Sequence, residues 1–250
     1  MGIIMAPVDY DAIMAYHEAT KHHFHRYARS AGHMDWDNQP NPFRFFEDTP
    51  RIPLDLSQSD PDLPYDDLYT PAPAEGQGPT FSLLSSFLAL SLGLSAWKAA
   101  GNSRWSLRIN PSSGNLHPTE GHLVVPALPD LAGGIYHYAP FLHALEQRAG
   151  LPTELASRIE SHFGGPGFLV ALSSIFWRES WKYGERAFRY CSLDTGHALA
   201  ALAFAARMAG TGGSKSARCR LPGMASRLTF TGLTMLPRRL PRQGPPAGCR

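Results

Sequence analysis

The chain is 250 residues long, 43% hydrophobic and 18% charged, with a formal net charge of +2. That balance excludes wholesale disorder, leaves room for one large domain or two small ones, and is too near neutral to mark a nucleic-acid or membrane-surface binder. Three widely spaced cysteines (Cys191, Cys219, Cys249) form no readable disulfide framework or CxxC zinc pair, which points to a reducing, cytoplasmic setting.

Residues 1–7 are apolar but lack the long core and small-residue cleavage pattern of a signal peptide. Ile13, Tyr16, Thr20, Phe24 and Tyr27, at spacings of three and four, predict a helix over 10–29. Residues 35–79 are dense in proline, which removes backbone donors and forbids helix interiors. They predict an extended, wrapping segment anchored by Trp36, Phe43, Phe45, Phe46 and Tyr65. A second helix is predicted over 80–100, ended by Gly101. Its apolar stretch is broken by five serines, so it reads as a buried helix and not as a membrane span, which needs ~20 predominantly apolar residues.

Strands are predicted over 105–109, 122–126 and 134–139, and a strand or turn over 144–148. A short amphipathic helix over 152–163, closed by Gly164-Gly165, comes next. The continuous apolar run 168–176 suits a central strand covered on both faces. An alanine-rich helix is predicted over 185–210. The order predicts an α+β protein in four parts: an N-terminal helix (1–34), the wrapping segment (35–79), a core (80–209) and a basic, disordered or non-native tail (210–250).

Three segments could carry chemistry. In Arg108-Ile-Asn-Pro-Ser-Ser-Gly-Asn-Leu-His-Pro-Thr-Glu120 a strand enters a loop of small, hydroxyl and amide residues. Its amides, with the Ser112 and Ser113 hydroxyls, can form an anion-binding concavity, and Arg108 adds a planar charged fork. An ordinary turn-rich loop has the same composition. Residues 177–190 crowd four cations, two acids and five aromatics, which suits either a cleft for a flat charged ligand or a solvated crossover with a Glu185–Arg189 pair. Gly196, inside the last helix, costs about 1 kcal/mol against alanine and permits close approach of a ring or another backbone. The histidines give only Tyr16-His17-Glu18 and Lys21-His22 as weak metal-helix fragments, so a metal-dependent hydrolase ranks last.

The Pro111-Ser-Ser-Gly-Asn-Leu-His-Pro118 run, the hydrophobic strand and Gly134-Ile-Tyr-His-Tyr138 after it, the Tyr16–Lys21 helix and the Trp177–His197 segment together resemble the nitroreductase-like flavoproteins. They are most similar to the SagB-type dehydrogenase branch that includes the azoline oxidases, over about residues 10–208. The resemblance implies a mainly antiparallel sheet flanked by helices, and FMN bound between two halves of a homodimer or tandem pair. It also implies hydride transfer through flavin N5 with a small-molecule or peptide substrate.

Carried over by position, Arg108, Pro111, Ser112, Ser113, Gly114, Asn115 and His117 would meet the flavin. Arg186 and Arg189 would meet its phosphate, and Gly196 and His197 would lie beside it. Lys182 and Tyr183 resemble the pair facing substrate. Two departures stand out: no Arg-Arg-Ser-type phosphate motif near the start, and a tail beyond Gly210 with no Asp or Glu and no helical or strand period, as in a frameshifted or truncated gene. The other reading is a non-catalytic fragment that keeps part of the fold and acts as a binding module.

Overall fold

A computed structural model of the protein describes residues 9–56, 63–69, 78–163, 166–209, 213–214 and 231–235. The expectations for the N-terminal apolar residues, Gly164-Gly165, Cys219, Cys249 and the rest of the 210–250 tail lie outside these residues.

The main sheet has seven strands in the order β1-β6-β5-β4-β7-β9-β8. They are β1 (Arg51–Pro53), β4 (Thr119–Val125), β5 (Gly134–Ala139), β6 (Ala144–Gly150), β7 (Phe168–Ser174), β8 (Gly213–Ser214) and β9 (Thr231–Met235). Every pairing is antiparallel. Alternation along the strands sorts their side chains by face. Leu123, Val125, Tyr136, Tyr138, Leu145, Val170 and Leu172 build one side of the core. Glu120, His122, His137 and Glu146 occupy the other face, where His122 pairs with His137 and His137 with Glu146.

Two helices complete the apolar core: α2 (Phe81–Ala89), through Leu84, Phe87 and Leu88, and α5 (Ala187–Met208), through Ala198, Leu202 and Ala205. The small α5 residues let that helix lie close to the sheet. The N-terminal helix α1 (Tyr10–Thr20) is capped by Asp9, and α3 (Thr153–Phe163) links β6 to β7.

Several boundaries differ from the sequence expectation. Helix α1 stops at Thr20, whose hydroxyl donates to the Tyr16 carbonyl while Lys21 turns extended. Helix α2 is capped by the Thr80 hydroxyl but ends at Ala89. There the backbone of Gly93 passes so close that a Cβ on it would stand 2.5 Å from the Ala89 carbonyl oxygen. The rest of the predicted helix is strand β2 (Leu94–Ala100), which among the described residues pairs only with β3 (Ser103–Arg108) in a separate hairpin. Gly101, read as a helix stop, is the hairpin turn at φ +57°. Strand β7 ends at Ser174, and its alternating burial covers one face more fully than the other.

The 177–190 crossover is largely helix α4 (Phe176–Tyr183), broken from α5 at Gly184, φ +54°. Within the basic tail the sequence predicts no strand, yet 213–214 and 231–235 extend the sheet beyond β7. The wrapping segment is anchored by Trp36 on Trp181, Phe43 on Phe141 and Phe46 on His137. Tyr65 is instead 70% exposed and leans on Tyr69, which reaches Phe204 of α5.

Candidate functional site

The loop between β3 and β4 is held in an unusual backbone path. Gly114, Asn115 and His117 have φ of +64°, +59° and +49°. Glycine adopts such values freely and asparagine tolerates them, whereas a histidine needs support. That support comes from side chains. The Ser112 hydroxyl accepts from His117 N (2.8 Å), the Asn115 amide donates to the Ser106 carbonyl (3.0 Å), and His117 Nε2 donates to Asn115 Oδ1 (2.7 Å). Burial, with Arg108 and Arg178 nearby, pushes the His117 pKa down to about 3, so the ring is neutral.

A carboxylate ties this loop to α5. Asp194, 1% exposed, accepts from the Ser112 hydroxyl (2.8 Å), the Ser113 amide (3.0 Å) and the Ser113 hydroxyl (3.0 Å). The concavity predicted for an external anion is thus filled by one from the chain itself. Arg108 is also turned inward: it is 7% exposed, donates to the carbonyls of Thr119 (3.4 Å) and Pro42 (2.6 Å), and lies over Phe43. Burial lowers its pKa to about 10. Pro111 is exposed at the mouth of the loop.

Other predicted residues do converge. A Cβ built on Gly114 would stand 2.8 Å from Tyr183 Oη and 3.0 Å from Lys182 Nζ, so the loop and the end of α4 meet at a glycine backbone. Among the described residues Lys182 Nζ and Tyr183 Oη have no hydrogen-bond partner, and buried Arg186 Nε is likewise unpartnered. Another Arg186 nitrogen donates to the Tyr190 hydroxyl.

The remaining predicted residues lie elsewhere. Arg189 binds the end of α1 through Thr20 Oγ1 (2.9 Å) and the His17 carbonyl (3.1 Å), not Glu185, which sits 3.6 Å from Arg29. Gly196 and His197 are exposed on α5, and nothing lies within 4 Å of a Cβ built on Gly196.

Beneath the loop runs a buried chain of charges that sequence patterns did not reveal. Arg178 Nη1 donates to the His117 carbonyl and to Glu120 Oε1, both at 2.6 Å. His137 bridges Glu120 Oε2 (2.7 Å) and Glu146 Oε2 (2.9 Å), and Arg51 Nε meets Glu146 Oε1 at 3.0 Å. Burial works to raise both glutamates, but the His137 hydrogen bonds and the arginines outweigh it and hold both below the ordinary carboxylate range. A visible signal was the polar alternation of Glu120 and His122 in an otherwise apolar strand.

Glu179 is the opposite case. It is fully buried, both carboxyl oxygens lack a hydrogen-bond partner among the described residues, and burial with Asp194 nearby pushes its pKa up to about 8, against the pull of Lys182. The folded state therefore holds a proton that the unfolded chain releases near 4.5. Stability should fall as pH rises from about 4.5 to 8, with a slope of at most about 1.4 kcal/mol per pH unit from this group. Urea titrations across that window should show a flatter slope for Glu179→Gln; an unchanged slope refutes the assignment.

A cleft of about 400 Å³ lies on the Trp181 and Gly184 side of α4, bordered by Arg29, Asp35 and Ser180; no predicted cofactor residue lines it. Among the described residues no group of three or more His, Cys, Asp or Glu could hold a metal, and no helix is long and apolar enough to cross a membrane.

Neither a family model nor a curated protein matches the sequence. Solved structures do. A protein provisionally named a nitroreductase from Anabaena variabilis aligns with a TM-score of 0.63 and 22% identity, over 89% of this chain and 45% of that one. Another so named, from Ralstonia eutropha, aligns at 0.52 and 16%, over 74% of this chain and 87% of that one. A microcin synthetase complex from E. coli aligns at 0.48, too weakly to bear on the fold. The chain thus spans a little under half the length of the Anabaena protein. Its α+β architecture, a mainly antiparallel sheet flanked by helices, is the nitroreductase-like fold.

Proposed function

We propose that the protein is an FMN-dependent oxidoreductase of the SagB-type dehydrogenase branch, acting on a small molecule or peptide, with its site completed by a second copy or a tandem partner half. The observation that carries this reading is the meeting of Gly114 with Lys182 and Tyr183, whose polar ends have no hydrogen-bond partner among the described residues, with Arg186 close enough to act on the Tyr183 phenol, within a nitroreductase-like fold. An ammonium and a phenol beside an exposed glycine backbone, with a guanidinium near the phenol, fit a planar, anionic, hydrogen-bonding group. Ser112 and Ser113, expected to touch the flavin, spend their hydroxyls on Asp194, and Arg108 spends both Nη groups on carbonyls while its buried Nε has no hydrogen-bond partner among the described residues.

When bound, FMN supplies two-electron chemistry, passing a hydride through N5. The chain's own contribution is placement. Gly114 leaves room for Tyr183 and Lys182, Asp194 fixes the loop that presents Gly114, and Arg186 adds charge. Lys182 and Tyr183 are the groups able to move a proton at the substrate.

Titrating purified protein with FMN tests this. Flavin fluorescence should be quenched on binding, and Arg186→Ala should weaken that binding by about tenfold, the loss of one charge-assisted hydrogen bond. Protein that leaves flavin fluorescence unchanged at every concentration overturns it. That outcome would favour a non-catalytic binding module, the reading supported by the engaged serines and by Arg108.

A further inference from the structure

Around the turn between β5 and β6, aromatic and arginine side chains form one surface. Phe141 is its hub, with ring centroids 4.9 Å from Phe43, 6.1 Å from Phe45 and 6.2 Å from Trp97. Phe45, Trp97 and Phe141 are 39%, 43% and 47% exposed. Arginines lie over these rings: Arg104 over Trp97 at 4.3 Å, Arg148 over Phe46 at 3.6 Å, Arg44 over Phe46 at 5.5 Å and Arg51 over Phe45 at 5.8 Å.

Among the described residues only Arg51 of these four pairs with a carboxylate, the buried Glu146. Among the described residues Arg44, Arg104 and Arg148 have none within 4 Å, and the exposed Glu47 and Asp48 pair with no cation. Stacking engages the flat face of a guanidinium and leaves its N–H edge for an oxyanion; Arg148 spends Nη1 on Thr49 Oγ1 (3.0 Å), whereas among the described residues Arg44 and Arg104 donate no hydrogen bond.

The β2–β3 hairpin that carries Trp97 and Arg104 adds a backbone feature. Neither strand has a second strand neighbour among the described residues, and β2 is exposed along nearly its whole length. An isolated hairpin is marginal in water and its edges can accept an extended chain.

We propose that this surface docks an extended acidic polypeptide segment of a partner that carries aromatic side chains. Its backbone lies along the hairpin edge, its carboxylates meet Arg44, Arg104 and Arg148, and its rings pack on Trp97, Phe45 and Phe141. The surface charge is local, since up to residue 209 the chain has more Asp and Glu than Lys and Arg. A nucleic acid would meet repulsion around so small a cationic patch, whereas a short acidic segment matches it. The inference does not depend on flavin binding.

Fluorescence anisotropy on the full chain tests it with a labelled peptide of alternating Glu and Tyr, its Lys-Tyr counterpart and an oligothymidylate. The acidic peptide should bind, and weaken at least tenfold in 0.5 M salt or with Arg104→Glu. Trp97→Ala, which removes an exposed ring, should weaken it by a similar factor in protein with unchanged circular dichroism. The wild-type preference for acidic over basic peptide needs no variant. Equal binding of the two peptides, tighter binding of the oligothymidylate, or a self-association that Arg104→Glu abolishes would each overturn the proposal.

Discussion

Glu120→Gln is expected to destabilise the fold by about 3–5 kcal/mol, the range for breaking a buried ion pair by removing one partner. The amide leaves the Arg178 guanidinium, 3% exposed, without a counter-ion and deprives His137 of one of its two carboxylates. For a domain of this size that should lower the melting temperature by roughly 10 °C, readable by circular dichroism. The pH dependence gives a second signature. Glu120 and Glu146 are held below their ordinary value, so their support is complete above about 4.5 and is lost as pH falls through the folded-state values. The wild type should therefore lose stability on acidification more steeply than the variant. A variant of wild-type stability would mean that the chain of charges is incidental.

Asp194→Ala should come close to this in stability and exceed it in its effect on the site. The Ser113 amide and two serine hydroxyls lose their acceptor together. Each buried donor left unmade costs about 1–3 kcal/mol, and some will find water, so a net loss of about 3 kcal/mol is expected. The loop that sets Gly114 against Tyr183 and Lys182 should open. Hydrogen exchange at Ser113 should then speed up far more than in the strands, and FMN affinity should fall further than with Arg186→Ala. Retained protection at Ser113 would show that the loop holds its shape without Asp194.

These two residues also show what the sequence concealed. The Pro111–Pro118 run was legible as a special loop because glycine, asparagine and proline carry their backbone preferences locally. Its electrostatic role was not legible. Asp194 lies about 80 positions away, and its carboxylate reaches Ser112 and Ser113 only because α5 packs across the sheet. The same holds for Glu120, His137 and Glu146, which become a single chain only through strand register. Lys182 and Tyr183 were named from a motif, and their approach to Gly114 follows from the fold.

Local chemistry in the sequence by itself determined the helix starts near Tyr10 and at Thr80, the strand segments around 122–125, 134–139 and 168–174, and the α+β class, while residues 119–121, read as loop and turn, join the strand at 122–125. These depend on capping, alternation and β-branched content within a few residues. Tertiary structure alone decided that residues 94–100 are strand and not helix, because the contact of Gly93 with Ala89 turns the chain and β3 offers a partner. It also decided that Arg108 and the serines face inward, since buried donors are satisfied by whichever acceptors packing brings to them, and those acceptors come from distant parts of the chain.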